Sequence, residues 1–174
     1  VGEAVAALVF VSLLLRYDIS LRTLEAWAVA CLLLACAFAD LEGYIIPDRF
    51  IAVGVVLFIV TLFFVPDPGK RALDCLIVAV GGGVLLLALL MEKLLRRDAM
   101  GGGDIKLLFL TGLFLGWQKN LLCLLLACVV GILWGLVRAK RGQQGLPWGP
   151  GIALAAWCAA LFGQNLIDWY LSLL

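Results

Sequence analysis

The sequence predicts an all-α, polytopic membrane protein, with about seven transmembrane helices packed as one bundle across residues 1–174. Three observations carry that expectation. Hydrophobic residues make up 65% of the chain and charged residues only 14%, against roughly half and a quarter in a soluble domain. Mean hydropathy is +1.14. The apolar residues also gather in runs divided by short polar breaks. A hydrocarbon core about 30 Å thick takes roughly 20 helical residues per crossing, so this length allows about seven crossings with short loops. The composition excludes an ordinary soluble globule, a disordered chain and a secreted disulfide scaffold. Nucleic acid is excluded as a partner too, because thirteen Lys and Arg against twelve Asp and Glu leave no basic excess to meet phosphates.

The first run, Glu3–Leu15, stops at Arg16-Tyr17-Asp18. The second, Leu24–Phe38, gives way to a polar stretch from Asp40 through Arg49. A third, Phe50–Val65, is closed by Pro66-Asp67-Pro68-Gly69-Lys70-Arg71, and a fourth, Leu73–Leu95, by Arg96 through Gly103. Gln118-Lys119-Asn120 separates Ile105–Trp117 from Leu121–Val137, and Arg138 through Gly145 precedes the last run, Gly149–Tyr170. Gly81-Gly82-Gly83 and the pair Gly131 and Gly135 are small-residue stripes that let helices approach closely. Trp27, Trp117, Trp148 and Trp169 fall near run ends, where interface-anchoring aromatics collect.

Lys and Arg set the expected orientation. Loops after the second, fourth and sixth runs hold Arg49, Lys93, Arg96, Arg97, Lys106, Arg138, Lys140 and Arg141. The opposite loops hold Arg16, Arg22, Lys70, Arg71 and Lys119. Eight against five makes the first set cytoplasmic. No secretory signal pattern precedes the first run, which is expected to be mature structure.

With no histidine in the chain, the commonest general base and transition-metal ligand are missing. Proton transfer then falls to carboxylates, Lys, Tyr or Cys. The six cysteines, Cys31, Cys36, Cys75, Cys123, Cys128 and Cys158, sit inside apolar runs and form no Cys-x-x-Cys. They read as small buried hydrophobes, not as metal ligands. No metal site is expected.

Two aspartates stand out. Asp40 follows one apolar run and Asp104 opens another. Two crossings separate them, so an even count returns the chain to the same face, and both carboxylates are expected at the cytoplasmic membrane edge. An N-cap role would account for Asp104. Asp40 is harder to explain structurally, because a helix C-terminus disfavours negative charge. A charge at full membrane depth costs on the order of 3 kcal/mol, so such residues are functional candidates. Gly101-Gly102-Gly103, directly before Asp104, offers either a hinge or bare backbone against which an extended peptide can pair.

Two carboxylates on one face can run hydrolysis without histidine. Held close, they share one proton. The ionised partner takes a proton from the attacking water, and the protonated one donates to the carbonyl oxygen. Helix dipoles assign the proton to Asp40 and the charge to Asp104, although the titration belongs to the pair.

The stretch Ala99-Met100-Gly101-Gly102-Gly103-Asp104-Ile105-Lys106-Leu107-Leu108 resembles the Gly-x-Gly-Asp signature of the type IV prepilin peptidases. Asp40-Leu41-Glu42-Gly43-Tyr44-Ile45-Ile46-Pro47-Asp48 is similar to that family's first aspartate segment. Leu146-Pro147-Trp148-Gly149-Pro150-Gly151 is similar to its Pro-x-Gly-Pro turn into the last helix. Asp98 stands where the family commonly has Glu. The resemblance implies catalytic roles for Asp40 and Asp104. It also implies substrate contacts from Gly101, Gly102 and Gly103, and structural or substrate-orienting roles for Asp48 and Lys106. The plainer readings are that Asp48 caps the third helix and Lys106 snorkels to the interface.

The implied activity is an aspartic endopeptidase of the bacterial inner membrane. It would cut the basic leader, ending in Gly, from type IV prepilins or pseudopilins at the cytoplasmic face. The substrate's apolar helix would stay in lipid and enter between helices, its scissile stretch unwound beside Gly101–Gly103. No cofactor is implied for peptidase activity, and S-adenosylmethionine only if methylation is retained. The cysteine-rich cytosolic domain of longer members has no counterpart here, so a single transmembrane peptidase domain is expected. Two alternatives use the same aspartates: another Gly-x-Gly-Asp protease of preflagellin type, and a proton- or cation-coupled transporter.

Overall fold

A computed structural model describes residues 2–43, 46–64, 69, 73, 76, 102–140 and 148–173. Its described helices are α1 (Gly2–Tyr17), α2 (Leu21–Gly43), α3 (Asp48–Phe64), α4 (Gly102–Leu115), α5 (Trp117–Lys140) and α6 (Gly149–Leu171). Among the described residues there is no strand.

Local chemistry places the breaks. Asp18 adopts a positive φ of 53° between α1 and α2, a left-handed conformation that Asp tolerates better than bulkier residues. Gly116, at φ 78°, ends α4, and its N–H donates to the Gly112 carbonyl at 3.0 Å. That is the left-handed glycine cap of a helix C-terminus. Pro47 precedes α3, and Pro150 lies in the first turn of α6, where a missing N–H costs nothing.

Helix α6 is the axis of the packing. It contacts α1, α2, α4 and α5, and its buried residues include Gly149, Gly151, Ala155, Ala156, Ala159 and Gly163. Small side chains let several helices approach one helix at once. Around it the core gathers Val29, Leu33, Cys36, Leu107, Leu108, Cys123, Ala127 and Ile152. On α3, a side chain added at Gly54 would collide with Leu110 of α4, so glycine brings those two helices together. Leu8, Val56, Phe63, Leu125, Ile132 and Phe162 are exposed, an outer face suited to lipid.

Among the described residues, three helices are long and apolar enough to cross a membrane: α2, α5 over Trp117–Arg138, and α6. The expected count of about seven spans is therefore met only in part. Helices α1, α3 and α4, of 16, 17 and 14 residues, are shorter than the roughly 20 residues of a full crossing. Most of the predicted fourth run, with Gly81-Gly82-Gly83, lies outside the described residues. The glycine cap sets where α4 stops. Hydropathy runs unbroken through Leu113, Phe114 and Leu115, and the stop is set by the backbone at Gly116.

Two of the predicted interface tryptophans do other work. Trp27 Nε1 donates to the Phe10 carbonyl at 3.0 Å, and its ring meets Phe10 edge-on at 5.7 Å, tying α1 to α2. Trp148 lies over Gly131 of α5 so closely that an added Cβ there would collide with the indole. Gly131 thus serves as a seat for one side chain. Trp117 and Trp169 are exposed, as anchoring requires. The cysteines divide as well: Cys36 and Cys123 are buried, while Cys31 faces outward.

A polar lock joins α4 to α5. The Thr111 hydroxyl lies 2.9 Å from Asn120 Oδ1, and Asn120 Nδ2 donates to the Leu108 carbonyl at 3.2 Å. Thr111 is almost fully buried. Replacing Asn120 with Leu is expected to destabilise the protein by about 1 kcal/mol, because it removes the bonds that tie α5 to Thr111 and Leu108 while the Thr111 hydroxyl keeps the Leu108 carbonyl as its acceptor. Thermal melting in detergent, against Asn120→Asp as the retained-acceptor control, measures the loss.

Candidate active site

One end of the bundle collects the C-terminus of α2 with the N-termini of α3, α4 and α6. Asp40 comes from α2, which continues to Gly43. It therefore sits inside the last turn, not beyond it as the apolar run indicated. The residue is only 6% exposed. Its Oδ2 accepts the backbone N–H of Gly149, at 2.8 Å, from a position 109 residues away. Trp148, at the N-cap of α6, makes no side-chain cap bond. Asp40 supplies the acceptor that this helix start lacks.

Asp104 is the third residue of α4 and is partly buried. It lies inside the first turn, so the N-cap reading does not describe it. Coulombic repulsion between Asp40 and Asp104 reaches across the site. The dipole argument that gave the proton to Asp40 counted only α2. The N-terminus of α6 meets the same carboxylate, so each aspartate has a helix N-terminus beside it and local dipoles no longer separate them.

Asp48 and Lys106 depart from the local roles expected of them. Lys106 Nζ donates to Asp48 Oδ1 at 2.6 Å, with side chains 43% and 77% exposed. The pair joins the first turn of α3 to the second turn of α4. At that exposure it adds little stability.

Gly103 faces Ile46, whose Cβ lies 3.1 Å from the position an added Cβ would take, with Cγ1 at 3.3 Å. Ile46 is buried. The bare face of Gly103 thus accommodates the segment leading into α3. Gly101 lies outside the described residues, as do the surroundings of Gly102. Among the described residues, nothing lies within 4 Å of the place a Gly43 side chain would take.

Residues 27–136 match the model of the type IV leader peptidase family, a stretch that holds Asp40 and Asp104 and covers more than half of the chain. The chain belongs to the type IV leader peptidase family. A prepilin leader peptidase/N-methyltransferase of Aeromonas salmonicida is 33% identical over 98% of this chain and 60% of its own length. One from Pseudomonas putida is 33% identical over 91% of this chain and 57% of its own. One from Bacillus subtilis is 28% identical over 99% and 69%. The chain thus spans about 60% of the length of the Aeromonas relative. No solved structure matches it.

Within this leader peptidase family member, sequence reasoning missed the Gly149 N–H on Asp40 and the Ile46 side chain against Gly103. A signal for the first was present. Pro147-Trp148-Gly149-Pro150 places a glycine between prolines at a helix start, where a close backbone approach is to be sought.

Proposed function

We propose that this chain is an aspartic endopeptidase that removes the leader peptide from type IV prepilins or pseudopilins. It works from the cytoplasmic face of a bacterial inner membrane, in a bundle of about seven spans. The observation that carries the reading is the pairing of two carboxylates at one end of an apolar helical bundle. Asp40 is nearly buried, Asp104 is partly buried, and their charges act on one another. Family membership and the printed activity of the relatives support it.

In the proposed reaction the ionised member of the pair takes a proton from a water, which attacks the carbonyl carbon of the scissile amide. The protonated member donates to the carbonyl oxygen. When the tetrahedral intermediate collapses, one of its hydroxyls returns a proton to the aspartate that donated it, the C–N bond breaks and the new amine takes up the proton drawn from water. No cofactor enters these steps. The proposal concerns the peptidase half of the relatives' printed activity and leaves methyl transfer from S-adenosylmethionine aside. The substrate's apolar helix stays in the bilayer and enters sideways, because withdrawing about 20 apolar residues from lipid is prohibitive. Lys106 and Asp48, joined at the site's edge, orient the arriving leader.

The direct test mixes purified protein in vesicles with a prepilin whose basic leader ends in Gly. The expected result is loss of the leader on a gel. An intact prepilin, combined with pH-linked ion flux through the vesicles, would replace the peptidase reading with a transporter. Orientation is tested separately. Reporters fused after Leu95 or Val137 are expected to read cytoplasmic, and those after Val65 or Trp117 external. The reverse pattern would place the aspartates away from newly made leaders.

A further inference from the structure

We infer that Gly149 is a positioning residue for catalysis, its backbone holding the Asp40 carboxylate in the orientation needed at the scissile bond. This rests on the aspartate-pair reading above.

Three facts converge on Gly149. Its N–H donates to Asp40 Oδ2 at 2.8 Å. Its missing side chain leaves room for that same carboxylate, since an added Cβ would stand 2.8 Å from Oδ2, 3.0 Å from the Asp40 Cβ and 3.1 Å from Cγ. Contacts that short force a shift, and a shift of Gly149 itself is opposed by its neighbour. Trp148 packs over Gly131 of α5 and joins the main core cluster. The first turn of α6 is thereby pinned on one side by an indole and presents a fixed N–H on the other. An aspartate with two rotatable side-chain bonds, 6% exposed, takes its direction from that donor. Orientation of a catalytic group to within a fraction of an ångström is worth large rate factors, and a misplacement of about 1 Å can cost 10²-fold.

The test uses the full chain in vesicles, cutting a prepilin at saturating and sub-saturating concentrations. Gly149→Ala is expected to lower kcat about 10- to 100-fold while leaving KM within about twofold, because the substrate's binding surface is unchanged and only the reacting group has moved. Gly151→Ala is the matched control. Its added Cβ meets Val130 at 3.5 Å, an ordinary contact, and it is expected to cut like wild type. Wild-type kcat in Gly149→Ala would overturn the proposal, and so would a rise in KM at constant kcat. Where Gly149→Ala does not melt cooperatively, Trp148→Leu decides. It frees the same turn without adding bulk, so a lower kcat at constant KM supports the proposal and an unchanged kcat refutes it. Asp40→Asn runs in the same assay. Cleavage by that variant would refute the aspartate pair as a whole, whereas a dead Asp40→Asn beside a fully active Gly149→Ala would refute the positioning role alone.

Discussion

Asp40→Asn and Asp104→Asn are each expected to abolish prepilin cleavage while leaving the protein folded and inserted. The expected loss is at least the 10²- to 10⁴-fold that general acid–base catalysis supplies. The argument for Asp40 depends on separating chemistry from structure, because Asp40 also accepts the first N–H of α6. Asparagine retains an acceptor oxygen and caps a helix start about as well as aspartate. The structural service therefore survives the substitution, and only proton exchange is lost. Among the described residues Asp104 shows no such bond in the first turn of α4, so its Asn variant tests chemistry more directly. Each variant is measured for leader removal and for melting temperature at matched membrane levels. Cleavage retained in either one would end the aspartate-pair mechanism. Loss of melting cooperativity in Asp40→Asn alone would mean that its role is to cap α6.

The same residues mark how far sequence reasoning reaches. The parity of crossings between Asp40 and Asp104 predicts a shared face. Parity needs only apolar runs, which composition makes plain. The roles of Asp48 and Lys106 were not legible in this way. Capping and snorkelling are the local options open to each residue on its own helix, whereas their ion pair spans 58 positions. The end of α4 was hidden for a different reason. Hydropathy continues to Trp117, and the stop is a backbone angle at Gly116 that the apolar pattern does not encode. Gly103 shows the third kind of limit. A glycine before a candidate catalytic aspartate reads as space for substrate, and only the folded chain reveals that Ile46 already borders that space.

That last point changes what a bulky residue at position 103 should do. Gly103→Val is expected to reduce cleavage at least about 100-fold, in line with the cost of displacing a catalytic group by roughly 1 Å. The valine Cβ would lie 3.1 Å from the Ile46 Cβ, and its two methyl groups need room as well. Ile46 is 7% exposed and sits in the short segment between Asp40 on α2 and Asp48 on α3. Pushing it outward moves the first turn of α4 away from α3, strains the Lys106–Asp48 pair and carries Asp104 off its line to Asp40. A channel-filling explanation predicts the same loss in the single variant, so the single variant cannot separate the two. Ile46→Ala combined with Gly103→Val does. Removing the obstructing side chain lets the valine fit, and leader removal is expected to recover by about tenfold or more over Gly103→Val alone, with Ile46→Ala by itself remaining active. Absence of any recovery, at expression equal to wild type, would return Gly103 to the substrate path. Wild-type cleavage by Gly103→Val would remove both explanations, because neither a peptide nor Ile46 would then need the space that glycine leaves.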